Sequence, residues 1–282
     1  MAQIGASYSS RLLPLDTPKD IESYEMKHVV ITGASSGIGA ALVAEFVQSG
    51  ARVTMVARRA AQMSQLAQTV GGETQICAVD LSRLEGSLDW IATAEERFGP
   101  IDVLIHNAGV QLVEPAEEHD PDSLQAMLRL NLLVPLHITR AVLPAMLQRK
   151  AGTIVDVASV AGLAPTPGMW GYNASKAGLA AASESLRGEL RGTGVHIVTV
   201  YPGPVDTPMA QAGYAAYPED PTMRILPEGI PSELARRIRA AVDLKQNRVI
   251  YPWIYSVLRY FPTVARWFLD RMTPRPFSRQ AR

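Results

Sequence analysis

From residue 28 onward, short apolar runs alternate with longer stretches whose apolar positions recur at helical spacing. His28–Thr32, Arg52–Ala57, Gln75–Val79, Val103–His106, Thr153–Val157 and His196–Tyr201 are compact and mostly rich in β-branched residues, and they read as strands. Ile38–Ser49, Ala60–Val70, a stretch around Leu88–Phe98, Ser123–Leu147 and Gly171–Arg191 read as helices. Pro135 and Pro144 should bend or divide the fourth of these. Asn247–Pro252 reads as a seventh strand. The strand runs lack a period of two, the pattern of strands covered on both faces. Strictly alternating strands and helices predict an α/β domain: a doubly wound parallel sheet of about seven strands with helices on both faces.

Composition narrows the class of protein. The chain has 282 residues, 47% of them hydrophobic, which suffices for one large domain with a substantial core. Its formal net charge is zero, so no long-range field draws it to nucleic acid. The lone cysteine, Cys77, sits in the apolar run Ile76-Cys77-Ala78-Val79 and reads as a buried filler. No intrachain disulfide can form, which fits a reducing compartment. Residues 1–26 contain charges, Pro14 and Pro18 but no apolar signal core, and no uncharged apolar stretch is long enough to span a bilayer. A cytoplasmic location is expected, and no metal site is expected.

The first turn after the first strand reads Thr32-Gly33-Ala34-Ser35-Ser36-Gly37-Ile38-Gly39. Glycines here allow a tight turn and close approach of backbone to ligand, and the helix that follows offers unpaired N–H groups and a positive dipole end. A pyrophosphate suits such a place. The spacing is not G-x-G-x-x-G. The argument rests on position: first strand, first turn and first helix of a Rossmann-type unit. At the end of the second strand, an acidic residue would bond a ribose 2′-hydroxyl. The chain has Val56-Ala57-Arg58-Arg59, and no Asp or Glu between Ala51 and Gly72. Arg58 is placed to grip a 2′-phosphate, with Arg59 or Ser35 assisting, which favours NADP(H), with NAD(H) as the alternative.

Tyr172 and Lys176 stand four residues apart on a predicted helix and so share a face. An ammonium beside a phenol favours the phenolate, and the tyrosine pKa is expected to fall toward working pH. A phenol tuned in that way can give a proton to a substrate oxygen or remove one.

With Asn107-Ala108-Gly109, Asn131, Ser159 and Pro202-Gly203 in order along the chain, the sequence resembles the short-chain dehydrogenase/reductase family in its basic single-domain form, over roughly residues 26–210. The resemblance implies an NAD(P)-dependent dehydrogenase or reductase. Tyr172 would be the general acid/base. Lys176 would lower its pKa and bond the nicotinamide ribose. Ser159 would hydrogen-bond the substrate oxygen, and Asn131 would hold a water in a proton relay to Lys176. Gly33, Ser35, Ser36, Gly37, Ile38 and Gly39 would cradle the pyrophosphate. Arg58, Asp80 and Leu81 would surround the adenosine. Asn107, Ala108 and Gly109 would support the cofactor, and Pro202, Gly203, Val205 and Thr207 would line the nicotinamide. One departure stands out: His106 occupies a place where the family often has a second asparagine.

The domain organisation expected from this is an N-terminal extension (1–26), a Rossmann-fold catalytic domain (27–252) and an amphipathic tail (253–282). The catalytic domain includes a substrate loop, 204–231. That loop carries six prolines with Met209, Tyr214, Tyr217 and Met223, the composition of a partly apolar lid, and Ala164–Trp170 should form the facing wall. A hydrophobic carbonyl or alcohol substrate is expected. In the tail, Trp253, Ile254, Val257, Leu258 and Phe261 recur at helical spacing, followed by Val264, Trp267, Phe268 and Met272 beside Arg266 and Arg271. This stripe is expected to pack on the domain or on a second subunit, with peripheral membrane contact as the alternative. The helices at about 123–149 and 171–192 suit a homodimer or homotetramer. Two other functions compete: a non-catalytic NADP-binding sensor, whose expected mark is a degraded catalytic set, and a membrane-docked dehydrogenase of lipid or steroid type.

Overall fold

Seven strands form one parallel sheet in the order β3-β2-β1-β4-β5-β6-β7. They are β1 (His28–Thr32), β2 (Arg52–Ala57), β3 (Thr74–Ala78), β4 (Val103–His106), β5 (Gly152–Val157), β6 (Val195–Pro202) and β7 (Arg248–Tyr251). The computed structural model describes residues 26–83, 88–217, 227–263, 266, 267, 271 and 273. The chain winds outward from β1 to β3, returns to β4 on the other side of β1, and continues to β7. The carboxyl ends of β1 and β4 therefore diverge, and the crevice between their following loops is where ligands bind in sheets of this kind.

Successive side chains of each strand enter opposite cores. Val29, Ile31, Val53, Met55 and Ile105 face α1 (Gly37–Gln48), α2 (Ala60–Val70) and α8 (Pro231–Asp243). Val30, Leu104, Ile154 and Ile197 face α3 (Trp90–Phe98) and α5 (Val134–Arg149). Most of these side chains are fully buried. Burial of one such side chain is worth about 1.5–3 kcal/mol, so both sheet faces contribute to stability. Cys77 is buried in the second core.

The expected helix over 123–147 is divided, but not at both prolines. α4 (Pro121–Leu128) starts at Asp120, whose carboxylate accepts from Ser123 N at 2.8 Å. A π-helical turn, Arg129–Leu133, follows, and α5 begins with Pro135 in its first turn. Proline has no N–H to give to the turn before it, and the wider π turn sits directly ahead of Pro135, where the regular bonding pattern is broken. Pro144 lies inside α5, which continues past it. Further α-helices among the described residues are α6 (Trp170–Glu189), α7 (Pro208–Tyr214) and α9 (Ser256–Tyr260). α7 falls within the expected substrate loop. α8 was not expected at all.

Most of the described residues of the tail stripe are not covered by the domain, one of the two packings expected for it. Tyr255 is buried, whereas Trp253, Ile254, Val257, Tyr260 and Phe261 are exposed. The 3-10 turn Trp253–Tyr255 and α9 are short, and residues 255 and 258 are the ones turned toward the ligand chamber. Val264, Phe268 and Met272 lie outside the described residues, as do residues 1–25 and, in the substrate loop, Pro218, Pro221 and Met223.

Candidate active site

The turn after β1 is built by contacts that only glycine permits. Gly33 has φ +68°, and a Cβ added there would lie 2.7 Å from Ala108 Cα. A Cβ on Gly39 would lie 2.1 Å from Gly33 O. The turn therefore folds back on itself and presses against the loop after β4. Asn107 fixes that contact: its side-chain amide donates to Thr32 O at 3.0 Å, and its backbone N–H donates to Thr32 Oγ1 at 3.0 Å. Ser36 caps α1 without a side-chain hydrogen bond, so the helix N-terminus presents open N–H donors to the crevice. This cradle fits the pyrophosphate of the dinucleotide that the resemblance implies.

Basic charge closes the same corner. Arg59 donates from Nη2 to Ser35 Oγ at 2.8 Å and to Ser36 Oγ at 2.6 Å. Arg58 follows β2, and Asp80 and Leu81 follow β3, at the outer end of the crevice. Ser82 hydrogen-bonds the Asp80 carboxylate and holds its pKa below the usual value, with Arg58 and Arg83 acting in the same direction.

The catalytic candidates meet further along the crevice. Tyr172 and Lys176 share one face at the start of α6, with the ammonium 6.0 Å from the phenol ring centroid. Lys176 Nζ donates to Val157 O at 2.8 Å. Ser159 leaves the end of β5 as the cap of a 3-10 turn (Val160–Gly162), and its Oγ accepts from Ala161 N at 3.1 Å. It also hydrogen-bonds Tyr172. One expectation is corrected here. Burial pushes the Tyr172 phenol above its ordinary pKa, and the Ser159 hydrogen bond opposes the rise. Desolvation of the phenolate outweighs the field of an ammonium that is itself buried and engaged with a carbonyl. The same burial lowers Lys176 to about 8, while Asp156 acts to raise it.

Asn131 braces the site from behind. It is fully buried in the π turn, and its Oδ1 accepts from Val110 N at 2.9 Å. Both amide protons are used, toward Val110 O at 2.9 Å and Ser175 Oγ at 3.1 Å. This side chain is a strut between the loop after β4 and α6. His106, the departure from the family pattern, is buried with Nε2 2.9 Å from Thr139 Oγ1. Burial drives its pKa down to about 3, so it is neutral at working pH.

One cavity of about 540 Å³ joins these pieces. Of the expected site residues, Gly33, Ser35, Ser36, Gly37, Ile38, Arg58, Asp80, Leu81, Asn107, Ala108, Gly109, Ser159, Tyr172, Lys176, Pro202, Gly203, Val205 and Thr207 line it, while Gly39 and Asn131 act from behind. Its substrate end is formed by Val110, Gln111, Ala161, Ala164, Met169, Met209, Tyr214 and Tyr217. Trp170, expected in this wall, is half-exposed and meets His119 edge to face at 5.6 Å instead. The two walls are tied by Tyr217 Oη, which donates to Pro167 O at 2.7 Å. Sequence reasoning missed Tyr255 and Leu258, which reach the cavity from the tail. Tyr255 lies flat against Gly203, where an added Cβ would be 2.5 Å from its ring. The signal for this contact is spread over some fifty residues, and no local pattern carries it.

Comparison with known proteins agrees with this geometry. The family model described as short chain dehydrogenase matches residues 27–217. An uncharacterized oxidoreductase of Staphylococcus epidermidis is 34% identical over 185 residues, covering 66% of this chain and 80% of that protein. The ketoacyl reductase HetN of Nostoc sp. is 32% identical over 227 residues, covering 79% and 78%. A short-chain dehydrogenase structure from Streptomyces avermitilis superposes with a TM-score of 0.75 at 28% identity, covering 86% of this chain and 94% of the other. A metagenomic short-chain oxidoreductase in complex with NADP gives 0.68 at 30% identity, covering 81% and 97%.

Proposed function

The chain belongs to the short-chain dehydrogenase family of oxidoreductases, and from that premise we propose an NADP(H)-preferring carbonyl reductase or alcohol dehydrogenase acting on a neutral, hydrophobic substrate. The observation that carries the reading is the make-up of this chamber. Tyr172, Ser159 and Lys176 line its middle, and the side chains charged at neutral pH among the other described lining residues (Arg58, Arg59 and Asp80) all lie at the dinucleotide end. The substrate end offers aliphatic and aromatic surface with the Gln111 amide as a polar handle. NADP preference is supported by Arg58 and by the Arg59 clamp on Ser35 and Ser36. It is also supported by the similar solved oxidoreductase that carries NADP.

When bound, the reduced nicotinamide supplies a hydride to the carbonyl carbon. Everything else falls to the protein. As charge develops on the substrate oxygen, Ser159 Oγ donates a hydrogen bond and Tyr172 Oη transfers its proton. A phenol whose pKa is raised by burial holds that proton through neutral pH and is ready to act as an acid. The Lys176 ammonium stabilises the tyrosinate left behind, and Asn131 holds the loop of Val110 in register with Ser175 and the pair on α6.

Replacement of Tyr172 by Phe tests the reading, with NADPH consumption measured on a panel of apolar ketones. Loss of turnover with retained NADPH binding is expected. Turnover within about threefold of wild type would remove the proposed acid, because such catalysis supplies about 10²–10⁴-fold. Exposed Leu133 and Leu136 support the homodimer or homotetramer expected from the helices there. A monomeric mass in light scattering would count against it.

A further inference from the structure

Beneath Lys176 lies a buried carboxylate that the chemistry above does not use. Asp156 stands on β5, three residues before Ser159, and is 4% exposed. Its register neighbours are His106 on β4 and Thr199 on β6. In a parallel sheet such neighbours project to the same face, and here α6 covers it. Asp156 hydrogen-bonds Ser183, and Ser183 Oγ is 2.8 Å from Thr199 Oγ1. Arg187, one turn further along α6, donates to Thr199 Oγ1 and, at 3.2 Å, to Ile197 O. Lys176, Ser183 and Arg187 are spaced seven and four residues apart, which places them along one side of the helix. A line of polar groups thus runs from the catalytic pair down the interface between α6 and the sheet.

Within that line Asp156 is the acidic group whose charge reaches Lys176. No direct ion pair joins them. The ammonium donates to Val157 O, the carbonyl of the residue that follows Asp156 on the same strand. The carboxylate therefore sits on the same strand that holds the ammonium, one residue before the carbonyl that accepts from it.

We propose that Asp156 is a positioning residue: the counter-charge that keeps Lys176 in its ammonium form beside Tyr172, and so sets where activity fails as pH rises. The proposal rests on the role given to Lys176 above. The groups facing Asp156 are few enough to work out the sign. Burial raises its own pKa to about 6, and Ser183, Lys176 and Arg187 act to keep it ionised. His106 is neutral, and Thr199 and Ser183 do not titrate. Lys176, lowered by burial to about 8, has Asp156 as the charge that opposes the fall. Between these two values both groups are charged. Remove the carboxylate and only the lowering influence remains, so the ammonium is lost nearer neutrality.

The variant Asp156→Asn keeps the shape and removes the charge. The alkaline limb of its kcat/KM profile for NADPH-dependent ketone reduction should move down by about one pH unit, with the plateau below that limb retained. A second readout needs no coenzyme. Besides Lys176 the sequence contains only Lys19, Lys27, Lys150 and Lys245, so lysine 13Cε NMR titration can follow Lys176, assigned through Lys176→Arg. Its midpoint should fall in Asp156→Asn and return toward wild type in Asp156→Glu. Should Asp156→Asn fail to fold, Ser183→Ala weakens the bond that keeps Asp156 ionised and should move the midpoint in the same direction by less. An unchanged Lys176 midpoint, or a loss of kcat equal at every pH, overturns the proposal in favour of a purely structural carboxylate. Full turnover by Tyr172→Phe with a displaced Lys176 midpoint would remove the proposed chemistry and leave the counter-charge in place.

Discussion

The two ends of the chamber are built by different means. At the dinucleotide end the shape belongs to the backbone: a Cβ added to Gly33 or Gly39 would lie within 3 Å of main-chain atoms, and Asn107 laces two loops together. At the substrate end the shape belongs to side chains from segments far apart in sequence, with Met169 before α6, Tyr214 and Tyr217 around the end of α7, and Tyr255 from the tail. A wall of backbone tolerates almost no substitution, because the clashing atoms cannot move. A wall of methionines and tyrosines can be repacked at a cost of about 1–3 kcal/mol or less. The same fold can therefore keep one coenzyme site while its other end changes, and function has to be argued from that other end.

Four substitutions probe this contrast. Tyr172→Phe, at the junction, should lower kcat by about 10²–10⁴-fold and leave the NADPH dissociation constant nearly unchanged. An equal loss of coenzyme affinity would mean that the junction is part of the dinucleotide end. Next in size, Arg59→Glu should weaken NADPH binding by roughly tenfold to a hundredfold, since hydrogen bonds to charged groups are worth about 1.5–3 kcal/mol. Fluorescence titration with both coenzymes checks this, and the effect on NADH should be clearly smaller. Met169→Ala should change KM for bulky ketones by several-fold, on the scale of one or two methylenes or about 1–3 kcal/mol, and leave coenzyme affinity alone. A parallel drop in NADPH binding would blur the two ends into one. Smallest, Tyr217→Phe removes the bond to Pro167 O and should cost about 1 kcal/mol of stability, read as a lower urea midpoint with turnover largely retained.

Most of the sheet was legible because buried strands leave dense β-branched runs, and four of the seven strand boundaries move by a residue or so. The glycine turn and the Tyr172–Lys176 pair were legible for a related reason: each works over four to eight residues, within reach of local spacing. α8 was missed although Leu234, Ile238 and Val242 recur at helical spacing after Pro231. The proline-rich stretch before it drew the boundary too late. The raised pKa of Tyr172 was out of reach, because desolvation depends on what covers the phenol and spacing shows only its neighbour on the helix. The engagement of Asn131 was hidden likewise, since Val110 is twenty-one residues away. Trp170 turned outward because α6 begins there, and a first-turn residue can face solvent.

Arg59 already donates to two hydroxyls on the glycine turn, with no ligand needed to hold it there. A coenzyme without a 2′-phosphate therefore strands no guanidinium when it settles. On the proposed NADP(H) reading, discrimination against it would amount to an attraction forgone, with no penalty added. A selectivity ratio built that way is moderate and falls as salt screens the missing attraction.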